Sequence, residues 1–336
     1  MAKRERLKPR PQSYFTSDKD ELTFISSGCT LLDCALGGGW CLGRMGNVVG
    51  DKSTAKTALA TEALINFKIK FPNGMAAYRD IEGAFDLPYA QAMGLPIDDV
   101  DFGGEKIDTV EDLARDLEKF VDAATKRDDF GIYVVDSWDA LSDKAEMERE
   151  VGEATYGMAK AKQSSEMFRK LVRKIERSKV LVLIISQVRD NIGAMFGEKH
   201  KRSGGKALDF YASQVLWLAH IQILSRTVKS VKRAYGIKIR GKVKKNKVGL
   251  PLREADFDFI FGFGIDDVTA GVEWLKAVKR LDTIDLTENE SKKYLEELDK
   301  VSDTEYAAER ENVSKAVRVV WNEVEESFLP TRKKYG

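Results

Sequence analysis

The sequence predicts an α/β protein in which a largely parallel, twisted sheet is flanked by helices. Three observations support this fold class. The stretch GDKSTAKT at residues 50–57 follows a short apolar run and precedes a helix-forming one, which places a tight loop between a buried strand and a helix. The run at residues 131–136 is apolar up to a final acid, as expected of a parallel strand covered on both faces. Stretches with apolar residues at helical spacing separate such runs.

The composition limits the classes of protein to which the chain can belong. Its 336 residues are enough for one large core domain and a smaller module. With 43% hydrophobic and 32% charged residues the chain is predicted to be globular, and a formal charge of +1 gives no indication for or against nucleic acid. No apolar run has the length of a membrane span and the start lacks a signal-like apolar segment, so we expect a cytoplasmic protein without a membrane partner.

The stretch at residues 50–57 has the features of a phosphate-binding loop, whose expected pattern is G-x-x-x-x-G-K-[ST]. In such a loop backbone N–H groups and the helix N-terminus hold nucleotide phosphates, Lys56 reaches the β- and γ-phosphates, and Thr57 ligates Mg²⁺. Ala55 stands where the pattern has its last glycine; its methyl group disfavours a positive φ, which is tolerable if this residue already begins the helix. A lysine-rich, solvated turn is the alternative. The predicted nucleotide-binding residues of the loop are Gly50, Asp51, Lys52, Ser53, Thr54, Ala55, Lys56 and Thr57.

Two acids at strand ends are candidates for the chemistry beside this loop. The apolar run at 75–78 leads to Glu82, which we predict to be the general base that positions water. A helix predicted over 109–124 separates it from the run at 131–136, which ends in Asp136. Ligands of open parallel sheets bind at the carboxyl ends of the strands, so Asp136 is expected to support the Mg²⁺ site. The acids and the loop together favour an ATP-hydrolysing site.

Several longer motifs occur together in a fixed order. ISSGCTLLDCALGGG at 25–39 precedes the phosphate loop, DIEGAFDLPYAQAMG at 80–94 follows it, and K-N-K occurs at 245–247. With this combination the chain resembles the RecA-type homologous recombinase family of bacteria and phages over about residues 25–265. The resemblance implies a RecA-like P-loop ATPase core.

For nucleotide binding, the resemblance implies contacts beyond the phosphate loop. Asp86 and Tyr89 are expected to contact the adenine of ATP, and a simple helix cap is the alternative role of Asp86. Gln187 follows an apolar strand predicted over 180–185 and is expected to sense the γ-phosphate and to couple it to bound DNA.

The resemblance also implies an active site that is shared between protomers. Lys245 and Lys247 are expected to reach the ATP held by the adjacent protomer. Phe261 and Gly262 are expected to cover the adenine across the same interface. Residues 210–213 are predicted to resume the sheet, in a segment similar to the family's interprotomer contact.

Two segments are similar to the DNA-binding loops of the family. The first covers about 146–158, and the second runs from about 189 to 205 and combines glycines, apolar wedges and cations without secondary structure. A plain surface loop is the alternative for the second segment. The acid-free basic stretch at 226–247 suggests a further phosphate-facing surface, for which a solvated basic hairpin is the alternative. The predicted DNA-binding residues are Tyr156, Gly157, Met158, Arg169, Arg189, Ile192, Phe196, Lys199, Lys201, Arg202, Gly204 and Gly205.

These patterns divide the chain into three predicted parts. Residues 1–17 are basic and contain proline, which indicates an extended arm that is a candidate for oligomerisation. Residues 18–268 are predicted to form the RecA-like core. Residues 269–336 carry three apolar stripes at helical spacing and are predicted to form a small helical domain, although their similarity to the family is poor.

The resemblance and the residues together predict an ATP-dependent homologous recombinase that uses Mg²⁺. It is expected to form helical homo-oligomeric filaments on single-stranded DNA and to exchange strands with double-stranded DNA, in the cytoplasm of a bacterial cell or a phage-infected host. A related ring helicase or repair-accessory ATPase is the first alternative. An ATP-binding scaffold whose hydrolysis is weakened by Ala55 is the second.

Overall fold

The strands that the structure describes lie in one large sheet and one small one. The structure is a computed structural model that describes residues 22–143, 158–190, 200–202, 205–298 and 300–332. Within these ranges the strands are β1 (Phe24–Ile25), β2 (Trp40–Cys41), β3 (Met45–Gly50), β4 (Met75–Asp80), β5 (Gly131–Asp136), β6 (Val180–Asp190), β7 (His200–Arg202), β8 (Gln214–Val228), β9 (Val231–Asn246), β10 (Glu254–Ile260) and β11 (Gly264–Asp266). The helices are α1 (Thr30–Leu36), α2 (Lys56–Lys70), α3 (Leu87–Ala92), α4 (Val110–Arg127), α5 (Met158–Arg177), α6 (Gly205–Tyr211), α7 (Asp267–Ala277), α8 (Glu288–Leu298) and α9 (Asp303–Ser327).

The large sheet has the order β11-β10-β9-β8-β3-β6-β5-β4, with β7 attached to β6. Its half from β8 to β4 is parallel, whereas β9, β10 and β11 add to β8 as an antiparallel meander. The predicted α/β class with a largely parallel sheet is therefore confirmed. Strands β1 and β2 pair with each other in a separate antiparallel ribbon.

The strands at the centre of the sheet are buried on both faces. Neighbouring residues such as Val48 and Val49 belong to different hydrophobic clusters, because successive side chains of a strand point to opposite faces. One cluster receives residues of α1 and α2, and the other receives residues of α4 and α5. This burial on both faces explains the continuous apolar runs in the sequence.

Helix α4 shows how well the local sequence determines an element. The side chain of Thr109 caps its N-terminus by accepting a hydrogen bond from the backbone N–H of Asp112 at 3.2 Å. Lys126 and Arg127 occupy the last turn, where cations complement the helix dipole. The helix predicted over 109–124 is thus confirmed, with three further residues at its end.

Two segments differ from the expectations. Residues 210–213 do not resume the sheet, because Phe210 and Tyr211 end helix α6 and the strand starts at Gln214. The ring of Tyr211 packs 5.9 Å from that of Phe168 on α5, a tertiary contact that favours the helix. The second DNA loop does not begin at Arg189, because β6 continues to Asp190 and pairs with β7 in antiparallel register.

The C-terminal helices pack on the same side of the sheet as α1. Val313, Val317 and Val320 of α9 are buried in the cluster that also contains residues of α1 and α2. Ser302 and Glu305 form a capping box at the start of α9, which is the third of the three helices predicted in this region. In the part of the chain that the structure describes, no helix combines the length and apolar character that crossing a bilayer requires.

Candidate nucleotide-binding site

The phosphate-type loop leaves the centre of the sheet. Strand β3 lies between β6 and β8, and the chain turns from its last residue Gly50 into α2, which begins at Lys56. Ser53 and Ala55 both have a φ of 57°, in the left-handed region. The condition that Ala55 already begins the helix is therefore not met. Ala55 is the N-cap residue and adopts the backbone conformation of the glycine that the pattern has at this position, at a steric cost of roughly 1–2 kcal/mol.

Lys56 and Thr57 open the helix at this loop. The Lys56 ammonium donates to the backbone carbonyl of Asp51 over 2.6 Å, so the side chain folds back over the loop. Burial lowers the pKa of Lys56, while the carboxylates of Asp136 and Glu82 act in the opposite direction. The Thr57 hydroxyl donates to Oδ2 of Asp136 over 2.6 Å, which joins the loop to the end of β5.

The Asp136 carboxyl receives a second hydrogen bond that the sequence did not indicate. The hydroxyl of Tyr78 on β4 donates to the same Oδ2 over 2.6 Å. Burial raises the pKa of Asp136, and the two hydrogen bonds from Thr57 and Tyr78 oppose that shift. The sequence indicates Tyr78 only as part of an apolar strand. Its hydroxyl is the feature that could indicate a polar role at the site.

Glu82 lies directly after β4 and is held from two neighbouring strands. Its Oε1 accepts hydrogen bonds from the Ser137 hydroxyl and from the Gln187 side-chain amide, the latter over 2.5 Å. The turn that carries Glu82 is fixed by Asp80, whose carboxylate accepts from three backbone N–H groups, those of Gly83, Ala84 and Phe85, at 2.9–3.2 Å. The structure thus brings together the predicted base and the predicted γ-phosphate sensor.

Gln187 is also fixed through its backbone. Its N–H donates to Oδ2 of Asp139 over 2.6 Å, and Asp139 belongs to a short 3-10 turn that follows β5. Like Ser137, Asp139 was not recognised in the sequence. Both follow Asp136 closely in the chain, so the end of β5 supplies three polar side chains to one edge of the sheet.

A cavity of about 350 Å³ extends from the phosphate-type loop towards α3. Asp86 caps α3 by accepting from the backbone N–H of Tyr89 at 2.9 Å, so its alternative role as a helix cap is realised while it still lines the cavity. The backbone N–H of Gly262 donates to the hydroxyl of Tyr89 over 3.2 Å. The segment with Phe261 and Gly262 therefore contacts Tyr89 of its own chain, and its approach to the adenine of an adjacent protomer stays a prediction. The lining residues are Ser53, Thr54, Ala55, Lys56, Thr57, Ala58, Thr61, Ala84, Phe85, Asp86, Tyr89, Ala90 and Phe259.

The chemistry of the cavity fits a nucleotide with its metal ion. The loop end offers hydroxyl, ammonium and helix N-terminal donors for phosphates, and the other end offers aromatic walls for a base. The Thr57 hydroxyl and the Asp136 carboxylate are the oxygen groups that Mg²⁺ prefers. Among the described residues no group of three or more His, Cys, Asp and Glu side chains forms a metal cage. Mg²⁺ usually binds through one or two protein groups together with waters and substrate phosphates, which agrees with so small a set of protein ligands.

Lys245 and Lys247 do not line this cavity in the described chain. The Lys245 ammonium donates to the carbonyls of Asp209 and Phe210, at 2.5 and 2.9 Å, at the C-terminal end of α6. Burial lowers the pKa of Lys245, and the nearby charge of Lys247 acts in the same direction. The Phe210 side chain beside this contact is 71% exposed.

Most predicted DNA contacts fall at the limits of the described residues. Six of them lie outside: Tyr156, Gly157, Ile192, Phe196, Lys199 and Gly204. The backbone of five others belongs to described elements: Met158 begins α5, Arg189 and Lys201 pair across β6 and β7, Arg202 ends β7, and Gly205 begins α6. Arg169 is exposed on α5. Their roles in binding DNA remain predictions.

Comparison with known proteins gives one consistent result. The model of the RecA N-terminal domain matches residues 14–266. Protein RecA of Gloeobacter violaceus is 36% identical over 244 residues, which cover 73% of this chain and 63% of that protein. The corresponding protein of Synechocystis sp. is 39% identical over 246 residues, covering 72% and 65%, and that of Nostoc punctiforme is 38% identical over 254 residues, covering 74% and 66%. The matched region is thus about two thirds of the length of these relatives. The chain belongs to the RecA family.

Proposed function

We propose that the protein is a DNA-dependent ATPase that acts as a homologous recombinase. In this proposal it assembles with Mg²⁺ and ATP into a helical filament on single-stranded DNA and exchanges strands with a homologous duplex. Its relatives are named RecA, and the nucleotide-type cavity supports the ATPase part of the proposal. The division into an arm, a core and a helical C-terminal part belongs to the same proposal.

One observation supports the coupling of ATP to DNA more than any other. Gln187 contacts Glu82 with its side chain and lies on β6, the strand that leads into residues 191–199, where the second DNA loop is predicted. A change in the position of the γ-phosphate-sensing amide would therefore be passed along β6. The backbone N–H of Gln187 also donates to Asp139, which ties β6 to the 3-10 turn after β5 at this residue.

The hydrolytic step needs positive charge at the phosphates, a site for Mg²⁺ and a group that orients water, and the residues beside the loop can supply each of these. Lys56 and the α2 N-terminus provide positive charge at the phosphate loop. Thr57 and Asp136 would hold Mg²⁺, which supplies charge neutralisation at the phosphates. Within the described residues both donors to Glu82 engage Oε1, so Oε2 is left to accept from the attacking water and to orient it.

Assembly completes the site in this proposal. Neither Lys245 nor Lys247 lines the cavity of its own chain, and the Lys245 ammonium contacts the carbonyl of the exposed Phe210. A cation brought to the phosphates by a neighbouring subunit accelerates phosphoryl transfer and makes turnover depend on assembly. We therefore assign both lysines to the nucleotide of the adjacent protomer.

ATP hydrolysis and joint-molecule formation by the full chain test the proposed function. We expect phosphate release to rise on addition of single-stranded DNA, and homologous duplex to be converted to joint molecules in the presence of ATP. Glu82→Gln should retain nucleotide binding and lose about 10²- to 10⁴-fold in hydrolysis, because the carboxylate positions water and does not hold phosphate. Lys56→Ala should abolish turnover through loss of phosphate neutralisation.

The same assays separate the two alternatives. A protein that binds ATP without hydrolysing it, with or without DNA, would be a scaffold. DNA-stimulated hydrolysis accompanied by duplex unwinding, but never by joint molecules, would indicate a helicase-type ATPase. If Glu82→Gln hydrolyses ATP at the wild-type rate, the assignment of the base is wrong.

A further inference from the structure

The turn between β10 and β11 lies beside the aromatic end of the cavity, the base end, which is lined by Phe85, Tyr89 and Phe259. Phe259 on β10 lies opposite Ile265 of β11 in the antiparallel register. In the turn between the two strands, the backbone N–H of Gly262 donates to the hydroxyl of Tyr89 over 3.2 Å. The position of β11 therefore affects two of the side chains that would face an adenine.

Strand β11 is held by a carboxylate of α2, the helix that follows the phosphate-type loop. In the described sheet β11 is an edge strand, so a backbone group on its outer side needs a partner from elsewhere. Oε1 of Glu62 accepts a hydrogen bond from the backbone N–H of Ile265 over 3.2 Å. Glu62 is not among the described residues that line the cavity. It thus joins the helix that begins at Lys56 to the strand beside the base end.

Two glycines leave room for this carboxylate. Gly264 has a φ of 107°, and a Cβ atom at this position would lie 2.4 Å from Oε1 of Glu62. Gly28 has a φ of 90°, and a Cβ atom there would lie 2.8 Å from Oε2. Two distant segments therefore bring their backbones against the two oxygens of one side chain, which only glycine permits at this distance.

The C-terminal helix α9 lies against the same carboxylate and the same turn. Arg310 of α9 donates to the carbonyl of Gly28 over 3.4 Å. Burial raises the pKa of Glu62, and hydrogen bonding and the charge of Arg310 oppose that shift. On the outside of the turn, the rings of Phe263 and Tyr306 meet edge to face with their centroids 6.4 Å apart. The turn is thus supported from α9 as well as from α2.

We propose that Glu62 is a positioning residue that sets how much the adenine contributes to nucleotide affinity. Glu62 holds β11, and the turn before β11 in turn holds Tyr89 through the N–H of Gly262. In the proposed function Lys56 and Thr57 bind the phosphates at the other end of the cavity. Loss of the Glu62 contact should therefore weaken the binding of the base and spare that of the phosphates. The inference rests on the proposed function and adds a determinant of base recognition to it.

The test compares the affinity of the full chain for ATP with its affinity for inorganic tripolyphosphate, which has no base, both in the presence of Mg²⁺. Glu62→Asp keeps the charge but shortens the side chain by one methylene, whereas Glu62→Gln keeps the length and an acceptor oxygen but removes the charge. We expect Glu62→Asp to lose about tenfold in ATP affinity, the worth of one hydrogen bond to a charged acceptor, and to bind tripolyphosphate like the wild type. Glu62→Gln should retain the wild-type ratio of the two affinities.

Two further variants test the route through the turn. Asn66→Ala is the matched control one turn further along α2, because the Asn66 side chain donates within the helix, to the carbonyl of Glu62 over 2.8 Å. It should keep the wild-type ratio. Tyr89→Phe removes the acceptor of the Gly262 N–H and should lower ATP affinity by itself. Because both contacts act through one turn, the double variant Glu62→Asp with Tyr89→Phe should lose less than the product of the two single losses.

Several results would overturn the inference. These are an unchanged ratio of ATP to tripolyphosphate affinity in Glu62→Asp, an equal loss for both ligands, a loss in Glu62→Gln or Asn66→Ala as large as that in Glu62→Asp, and losses that multiply in the double variant. Absence of ATP binding in the wild type would contradict the proposed function. ATP binding in the wild type with an unaltered ratio in Glu62→Asp would contradict the role of Glu62 alone.

Discussion

The side-chain amide of Gln187 donates a hydrogen bond to Oε1 of Glu82 over 2.5 Å. The two residues are 105 positions apart in the chain; Glu82 follows β4 and Gln187 lies on β6, and both strands belong to the parallel half of the sheet. The contact places the predicted water-positioning carboxylate in reach of the strand that leads to the predicted DNA loop. In the proposed function, hydrolysis and DNA binding would influence each other through this hydrogen bond.

Tyr78 is predicted to support the metal-binding end of the site. Tyr78→Phe removes one of the two hydroxyl groups that donate to Asp136. The control is Tyr133→Phe on the other face of the sheet, which removes the hydroxyl that donates to Oδ2 of Asp116 over 2.5 Å. Each change is expected to lower the free energy of unfolding by about 1 kcal/mol. Only Tyr78→Phe should raise the Mg²⁺ concentration needed for half-maximal ATP hydrolysis. An equal Mg²⁺ requirement in both variants would show that Tyr78 is only structural.

Ala55→Gly is predicted to stabilise the protein. Ala55 has a left-handed backbone that glycine adopts without steric cost, so urea unfolding should show a gain of up to about 1 kcal/mol. Ala58→Gly is the matched control within α2, where glycine should cost about 1 kcal/mol. A loss of stability in both variants would contradict the role assigned to the Ala55 backbone.

The sequence predicted those parts of the site that depend on the succession of strands, loops and helices along the chain. A loop between an apolar strand and a helix, and acids at the ends of apolar runs, follow from the periodicity of the chain, and they single out Lys56, Thr57 and Asp136. Thr57 contacts Asp136 and Lys56 folds back over the loop, while their roles towards a nucleotide stay predictions. The same holds for the parallel half of the sheet and for the three C-terminal helices.

The contributions of Tyr78, Ser137 and Asp139 could not be predicted, because they depend on strand register. Tyr78 meets Asp136 since β4 and β5 pair with Asp80 opposite Asp136. The end of α6 was misassigned for a related reason, as its packing against α5 is a contact between distant residues. The left-handed backbone of Ala55 could not be predicted either. Alanine disfavours this conformation, so the residue type gives no sign that the surrounding loop imposes it.

Asp33 is predicted to make stability depend on pH. Its carboxylate is buried, and burial raises its pKa from 3.8 to about 6 despite hydrogen bonds from Ser26 and Ser27. The folded protein thus holds this proton more tightly than the unfolded chain. The resulting stabilisation is fully present below about pH 4 and is lost as the pH rises through about 6.

Urea unfolding between about pH 4 and 7 checks this expectation. In Asp33→Asn the unfolding free energy should lose the pH dependence that the Asp33 carboxyl causes. The difference in unfolding free energy between wild type and variant should therefore change with pH in that window. A difference that is constant over the whole range would contradict the raised pKa.

Mixing two inactive variants is predicted to locate Lys245. Lys245→Ala and Lys56→Ala should each be nearly inactive. In a mixed assembly some interfaces join the intact phosphate loop of one variant to the intact Lys245 of the other, so DNA-dependent ATP hydrolysis should reappear. If Lys245 acts within its own chain, every site keeps one defect and mixing recovers nothing, provided that both variants are shown to co-assemble.

The dependence of ATP hydrolysis on single-stranded DNA in Gln187→Ala tests whether Gln187 couples the nucleotide site to bound DNA. Ser137→Ala is the control, because Ser137 also donates to Oε1 of Glu82 but follows β5 and not the strand of the predicted DNA loop. We predict that Gln187→Ala retains DNA-independent hydrolysis and loses stimulation by DNA, whereas Ser137→Ala keeps the ratio of stimulated to basal rate. Full stimulation of Gln187→Ala by DNA would contradict the account.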